Sequence, residues 1–290
     1  MTESPRGRLL AAASLVGVTA IWGSTFMIVK KAIGQMPPFE FLTIRFALAT
    51  AVIAPFAAKK MRSVKLANGL RGGMYAGGFL AIGYATQTIG LRYTTATRSA
   101  FITGLTVIFA PIMATVFAKK PPSRVAAAGV VIATVGLALL TGGPTGRFGL
   151  GEMLTVATSL AFGAHVVALS RFSPKSDPWV LTLVQVLFCA LAFSPVALLT
   201  EDLVRPSSAF MVEALALTGI GATAIGFFVM VWAQKRLSPT ATAVTLTMEP
   251  VFAGLTSYLV TGETLSGFEQ IGAVLIIAAM LLADLRGDHS

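Results

Sequence analysis

Charge is scarce in this chain: 12% of its 290 residues are charged, whereas a soluble domain carries about 25%. Acidic residues are scarcer still, 12 against 22 basic ones. At 55% hydrophobic content and a mean hydropathy of +0.80, there are too few charges to cover a surface in water, so the composition belongs in lipid. Cys189 is the only cysteine and sits in an apolar run, which excludes an intramolecular disulfide, a CxxC redox pair and a thiolate metal cluster. There are two histidines, and neither has a second histidine or cysteine at ligand spacing, so no metal site is expected. The sequence has no HExxH, no phosphate loop and no nucleophile–base–acid set, which argues against an enzyme, and no cofactor is expected. The net charge of +10 is dispersed through short loops rather than gathered with exposed aromatics, so a nucleic-acid partner is not expected.

What the chain has in abundance is long apolar runs, and they come twice. Trp22-Gly23 recurs as Phe162-Gly163, Pro38 as Pro178 and Pro55 as Pro195, each 140 positions on. Pro111-Ile112-Met113-Ala114 returns as Pro250-Val251-Phe252-Ala253 at an offset of 139, and Gly129-Val130 as Gly272-Ala273 at 143. The run from Leu9 to Val29 is uncharged for 21 residues, enough to cross a ~30 Å core and longer than a signal-peptide core, so it reads as a retained first span. Ten spans follow, at 9–29, 39–58, 72–91, 96–118, 124–142, 149–170, 178–199, 210–234, 240–261 and 268–285. Pro37-Pro38, Pro121-Pro122, Pro178 and Pro239 mark helix starts, and Gly142–Gly146 joins the halves. Gly69, Gly73 and Gly77, like Gly219, Gly221 and Gly226, have the small-residue spacing of close helix packing.

Five spans per copy is an odd number, so the second copy must enter the bilayer upside down. The expected fold is therefore an all-α integral membrane protein of ten transmembrane helices, in two inverted five-helix repeats over residues 9–142 and 148–286. With the N-terminus inside, one side holds Arg6, Arg8, Lys59, Lys60, Arg62, Lys65, Arg71, Lys119, Lys120, Arg124, Arg171, Lys175, Lys235, Arg236 and Arg286. The other holds only Lys30, Lys31, Arg92, Arg98, Arg147 and Arg205, so the positive-inside rule sets both termini in the cytoplasm.

The Trp22-Gly23-Ser24-Thr25-Phe26 run in the first span, Arg45 in the second, and Glu249-Pro250 in the ninth followed by Gly262-Glu263 resemble the EamA family of the drug/metabolite transporter superfamily. The resemblance covers essentially the whole chain. It implies two inverted five-helix repeats around a central cavity and export of amino acids or other small metabolites across a bacterial inner membrane. Substrate identity does not follow from it.

Polar groups inside the spans are the candidate site residues. Arg45 costs from ~3 kcal/mol upward in hydrocarbon unless paired or wetted, so it either serves function or snorkels to the nearby headgroups. Its repeat mate is Gln185. Glu249 is the one carboxylate well inside a span. It either loads and releases a coupling proton or satisfies carbonyls freed by Pro250, and its mate by the 139 offset is the apolar Ala110. Trp22 and Thr25 share a helix face, as do their mates Phe162 and His165, and both pairs would meet at a cavity on the pseudo-twofold axis. Tyr84 with Gln87 and Phe228 with Trp232 offer further aromatic or polar faces for a small-molecule cavity; packing and interfacial aromatics are the plainer alternative. The expected partners are a small-molecule substrate, the lipid bilayer and protons, with the chain a monomer or weak homodimer. The leading reading is a secondary exporter working by alternating access. Its rivals are a proton-coupled antiporter of hydrophobic cations and a non-transporting membrane sensor or assembly factor.

Overall fold

The computed structural model describes residues 5–60, 66–117, 124–140, 148–237, 242, 245–246, 248–262 and 264–285. Their regular structure is helical, with no strand among the described residues. In chain order the helices are α1 (Pro5–Ala32), α2 (Pro38–Ala58), α3 (Leu66–Gly90), α4 (Ala96–Gly104), α5 (Thr106–Phe117), α6 (Arg124–Leu140), α7 (Leu150–Phe172), α8 (Pro178–Thr200), α9 (Ala209–Ala216), α10 (Gly226–Ala233), α11 (Met248–Thr261) and α12 (Gly267–Leu285). A π-helical segment, Leu217–Ile225, joins α9 to α10, so the three form one continuous rod. Among the described residues, six stretches are long and apolar enough to cross a membrane: Arg6–Ala32, Pro38–Ala58, Ala96–Ala114, Leu150–Lys175, Pro178–Thr200 and Ala209–Ala233. Helix α3 has the length, but its glycines and the Thr86-Gln87-Thr88 triplet dilute its hydropathy. The Pro121-Pro122 and Pro239 signals, the Gly142–Gly146 linker and Glu263 lie outside the described residues.

The local chemistry explains the helix ends. Pro38 and Pro178 occupy the first helical turn of α2 and α8, where a missing N–H costs nothing. Asp177 caps α8 by accepting from Trp179 N at 2.9 Å, Thr95 caps α4 and Ser208 caps α9. Helix α2 has no side-chain cap of its own. Its first donors, Phe39 N and Glu40 N, are met by the Glu201 carboxylate beyond the end of α8, at 3.0 and 2.8 Å. Glu40 in turn accepts from Val204 N at 2.9 Å. Further polar clasps gather at this same end of the bundle. Lys30 donates to Leu91 O at 3.2 Å and to Thr94 O, Thr94 Oγ1 donates to Glu152 at 2.6 Å, and Arg98 pairs with Glu269 at 2.6 Å.

Glycine faces let the rods touch. A side chain at Gly73 would lie 2.5 Å from Val184 Cβ, so the Gly69/Gly73/Gly77 stripe is the surface that receives α8. Two further contacts align the halves. Gly23 on α1 presses on Glu249 O, Phe252 Cβ and Ala253 N, while Gly163 on α7 presses on the Phe109 backbone and Cβ and on Ala110 N. Phe109-Ala110 therefore matches Phe252-Ala253, an offset of 143 in this stretch rather than the 139 that its sequence match favoured. The two offsets differ by about one helical turn, which keeps apolar residues on the same face and makes the wrong match look good. The counterpart of Glu249 is therefore Thr106, not Ala110.

Candidate functional site

A cavity with about 730 Å³ of empty space, part of it open to solvent, lies among the helices. Its walls are Trp22, Thr25, Phe26 and Val29 from α1; Arg45 from α2; Leu80, Tyr84 and Gln87 from α3, with Leu91 just beyond; and Thr103, Gly104, Thr106 and Val107 at the α4–α5 junction. Phe162, His165 and Val166 of α7, Phe227 and Met230 of α10, Leu246 and Glu249 complete it. Of the residues singled out in the sequence, it thus brings together Trp22, Thr25, Arg45, Tyr84, Gln87, Phe162, His165 and Glu249.

Phe228 and Trp232 are not among the lining residues, and the reason is rotation. One position along a helix turns the side chain by about 100°, so Phe227 and Met230 take the cavity face and Phe228 looks elsewhere. Phe228 stacks on Trp179 at 3.9 Å between ring centroids, and Trp179 stacks on Phe56 at 4.7 Å. Trp232 lies under the Arg236 guanidinium at 4.2 Å. Phe227 and Met230 escaped the sequence reading although the 143 offset, carried back one span, pairs them with Tyr84 and Gln87. Thr103, Thr106 and Leu246 follow by the same rule.

The two aromatic mates are seated alike. A Cβ on Gly83 would fall 2.2 Å from the Phe162 ring, and one on Gly226 would fall 2.7 Å from Trp22 Nε1. Each ring thus packs closely on a helix backbone that only glycine leaves open. Trp22 goes further and donates its indole N–H to Ala222 O at 2.7 Å. Tyr84 stands at the centre of the aromatic wall, with Phe46, Phe162 and Phe227 centroids at 5.0, 5.5 and 6.1 Å.

Arg45 is 3% exposed and has no carboxylate within ion-pair distance; among the described residues the one ion pair is Arg98–Glu269. Its Nε donates to Thr223 Oγ1 at 2.8 Å, its Nη2 donates to Tyr84 Oη at 3.0 Å, and the guanidinium lies 4.6 Å from the Tyr84 ring centroid. Two of its five N–H groups are therefore used, and the rest border the cavity without a partner among the described residues. Its mate Gln185 is fully buried and bonds His165 Nε2 at 2.8 Å through its carbonyl oxygen. Thr25 Oγ1 donates to Trp22 O at 2.7 Å, and Gln87 Nε2 donates to Thr103 Oγ1 at 3.3 Å. The Glu249 carboxyl has no hydrogen-bond partner among the described residues. No group of three or more His, Cys, Asp or Glu side chains able to hold a metal occurs among the described residues. The chemistry on offer is an apolar chamber with a cation on one wall and a carboxyl on another.

The profile of the EamA-like transporter family matches residues 9–142 and again 149–283. A relative in Archaeoglobus fulgidus, described as an uncharacterized transporter, is 34% identical over 279 residues, covering 96% of this chain and 87% of the relative. Uncharacterized transporter YyaM of Bacillus subtilis is 25% identical, over 93% and 92% of the two chains. A Salmonella typhimurium protein described as a "probable amino-acid metabolite efflux pump" is also 25% identical, over 91% of each. A crystal structure with 21% sequence identity superimposes with a TM-score of 0.69, covering 94% of this chain and 96% of that one, and shares the fold.

Proposed function

The chain belongs to the EamA-like transporter family, and from that premise we propose that it exports amino acids or their derivatives through the Arg45/Glu249 cavity by alternating access. It is a multi-pass membrane transporter and not an enzyme. The substrate reading rests on one observation above all: an apolar chamber presents a guanidinium and a carboxyl that are not paired with each other. A zwitterion brings the complementary pair, its carboxylate for Arg45 and its ammonium for Glu249, while the aromatic wall receives an apolar side chain. The description of the Salmonella relative points the same way. Export of lipophilic cations is the weaker reading, since a buried cation facing the cavity repels them.

The architecture that goes with this function is ten spans in two inverted repeats, 9–142 and 148–286, with both termini in the cytoplasm of a bacterial inner membrane. The matched seats of Trp22 and Phe162, and the matched contacts of Gly23 and Gly163, support a pseudo-twofold relation. On α1 and α3 the cavity walls occupy the halves nearer the clasped end, which is the outer end in this orientation. With no nucleotide site in the sequence, the driving force is the substrate gradient or a proton carried by Glu249.

The deciding experiment is counterflow in proteoliposomes with a panel of L-amino acids and lipophilic cations, with and without a pH gradient. Amino-acid flux is the expected outcome; flux of cations alone would overturn the substrate reading. For orientation, single cysteines at positions 62 and 146, both outside the described residues, on a Cys189→Ala background should label from outside at 146 only. The reverse pattern would invert the topology.

A further inference from the structure

The π-helical segment Leu217–Ile225 does something that a regular helix at this place does not. Its hydrogen bonds run one residue further than in an α-helix: Gly226 N–H bonds Gly221 O, five residues back. Thr223 follows the same register. A threonine in an ordinary helix turns its hydroxyl to the carbonyl three or four residues earlier. Here Thr223 Oγ1 donates to Thr218 O, five back, at 2.8 Å. With its proton committed there, the hydroxyl oxygen faces Arg45 as an acceptor only, and it takes the Nε–H at 2.8 Å. The same turn presents Ala222 O to the Trp22 indole at 2.7 Å. Gly219 is what brings the segment this close, since a Cβ there would lie 3.0 Å from the carbonyl oxygen of Arg45 itself.

We infer that the π turn is the positioning device for Arg45, with Thr223 the positioning residue that aims the guanidinium into the cavity. The inference rests on the reading of the cavity as a carboxylate-binding site and adds how that site is kept in register. An unpaired arginine on a long side chain has many rotamers, and most of them withdraw the charge toward headgroups. Fixing Nε from the side by Thr223, and one Nη2 hydrogen by Tyr84, leaves both Nη1 hydrogens and one on Nη2 free for a solute. Two hydrogen bonds from two different helices define the plane of the guanidinium, which is what recognition by two parallel N–H···O bonds demands.

The test uses the full-length transporter in proteoliposomes, with L-leucine as the probe and 3-methylbutylamine, which has the same side chain and ammonium but no carboxylate, as its control. Thr223→Val keeps the shape and removes both hydrogen bonds; Thr223→Ser keeps them. The expected result is a KM for L-leucine raised about tenfold in Thr223→Val with Vmax within twofold, near wild-type values in Thr223→Ser, and no change for the amine. An unchanged L-leucine KM in Thr223→Val, with Arg45→Gln strongly impaired, would overturn the positioning role while leaving the carboxylate site standing. An Arg45→Gln variant that handles L-leucine like wild type, or a wild type that carries only the amine, would overturn the site and the inference with it. A thermal-stability cycle covers the case of a poorly expressed Val variant. Thr223→Ala should lower Tm in the wild-type background and have little effect beside Arg45→Met; equal losses in both backgrounds would overturn the inference.

Discussion

The two walls of the cavity are built on matched seats but carry different chemistry. Trp22 and Phe162 occupy equivalent positions, each against a glycine, yet Trp22 is hydrogen-bonded across to Ala222 while Phe162 only packs. Arg45 opposes Gln185, Tyr84 opposes Phe227, Gln87 opposes Met230, and Thr106 opposes Glu249. Backbone contacts have been kept in both halves, whereas the groups that face the cavity have diverged, with Arg45, Tyr84 and Gln87 coming from the first half and His165 and Glu249 from the second. The difference teaches that the glycines hold the symmetric frame and that the ligand-facing chemistry is free to become one-sided. The chamber therefore presents a guanidinium from one half and a carboxyl from the other, two ends that are not interchangeable.

This asymmetry is open to attack by substituting both members of each pair. The largest effect is expected at Glu249. Glu249→Gln should abolish accumulation driven by a pH gradient while solute exchange stays within about twofold, whereas Thr106→Val should spare both; pH dependence retained in the Gln variant would return Glu249 to a structural role. Next, Arg45→Gln should cost about 100-fold in kcat/KM for amino acids, the equivalent of ~3 kcal/mol for a lost charge-assisted bond. Gln185→Met, its mate, should cost less than about fivefold. The frame itself is tested by Gly23→Ala against Gly163→Ala. A Cβ at 23 would lie 2.6 Å from Glu249 O and at 163 about 3.1 Å from Ala110 N. Both neighbours are backbone, but the first is the closer, so thermal unfolding should register a loss near the top of the ~1–3 kcal/mol overpacking range, and the second a loss near its bottom. The smallest effect belongs to the polar lining. Gln87→Ala should raise KM by roughly fivefold with unchanged yield, against little change for Met230→Leu, since a single neutral hydrogen bond contributes about 1 kcal/mol.

Membrane class and helical content were legible because hydropathy and loop charge are carried by composition alone. Trp22, Thr25, Phe162 and His165 were legible as cavity neighbours because an offset of 140 holds throughout the first two spans of each half. In the third span of the second half the cavity face carries Phe227 and Met230 rather than Phe228 and Trp232, because the offset shifts to 143 after Arg45 and the sequence offers two neighbouring faces there. Nothing in the pattern announces the π turn. Its signature is the hydrogen-bond register of Thr223 and Gly226, which a helical period of 3.6 residues does not encode. The Arg45 partners, Tyr84 and Thr223, stand 39 and 178 residues away, so the choice between a snorkelling and a cavity-facing arginine needed the tertiary structure.

The cap on α2 has a historical meaning. A freshly duplicated chain starts with two copies that each contain whatever they require. Here the second helix depends on a carboxylate 162 residues downstream to satisfy the donors at its start, and Glu40 reaches 164 residues downstream to Val204. Once such borrowing is in place, neither copy can be deleted, split off or exchanged for an unrelated one without leaving polar backbone stranded. On the proposed two-repeat architecture, redundancy has thereby become mutual dependence, and the chain is held at double length.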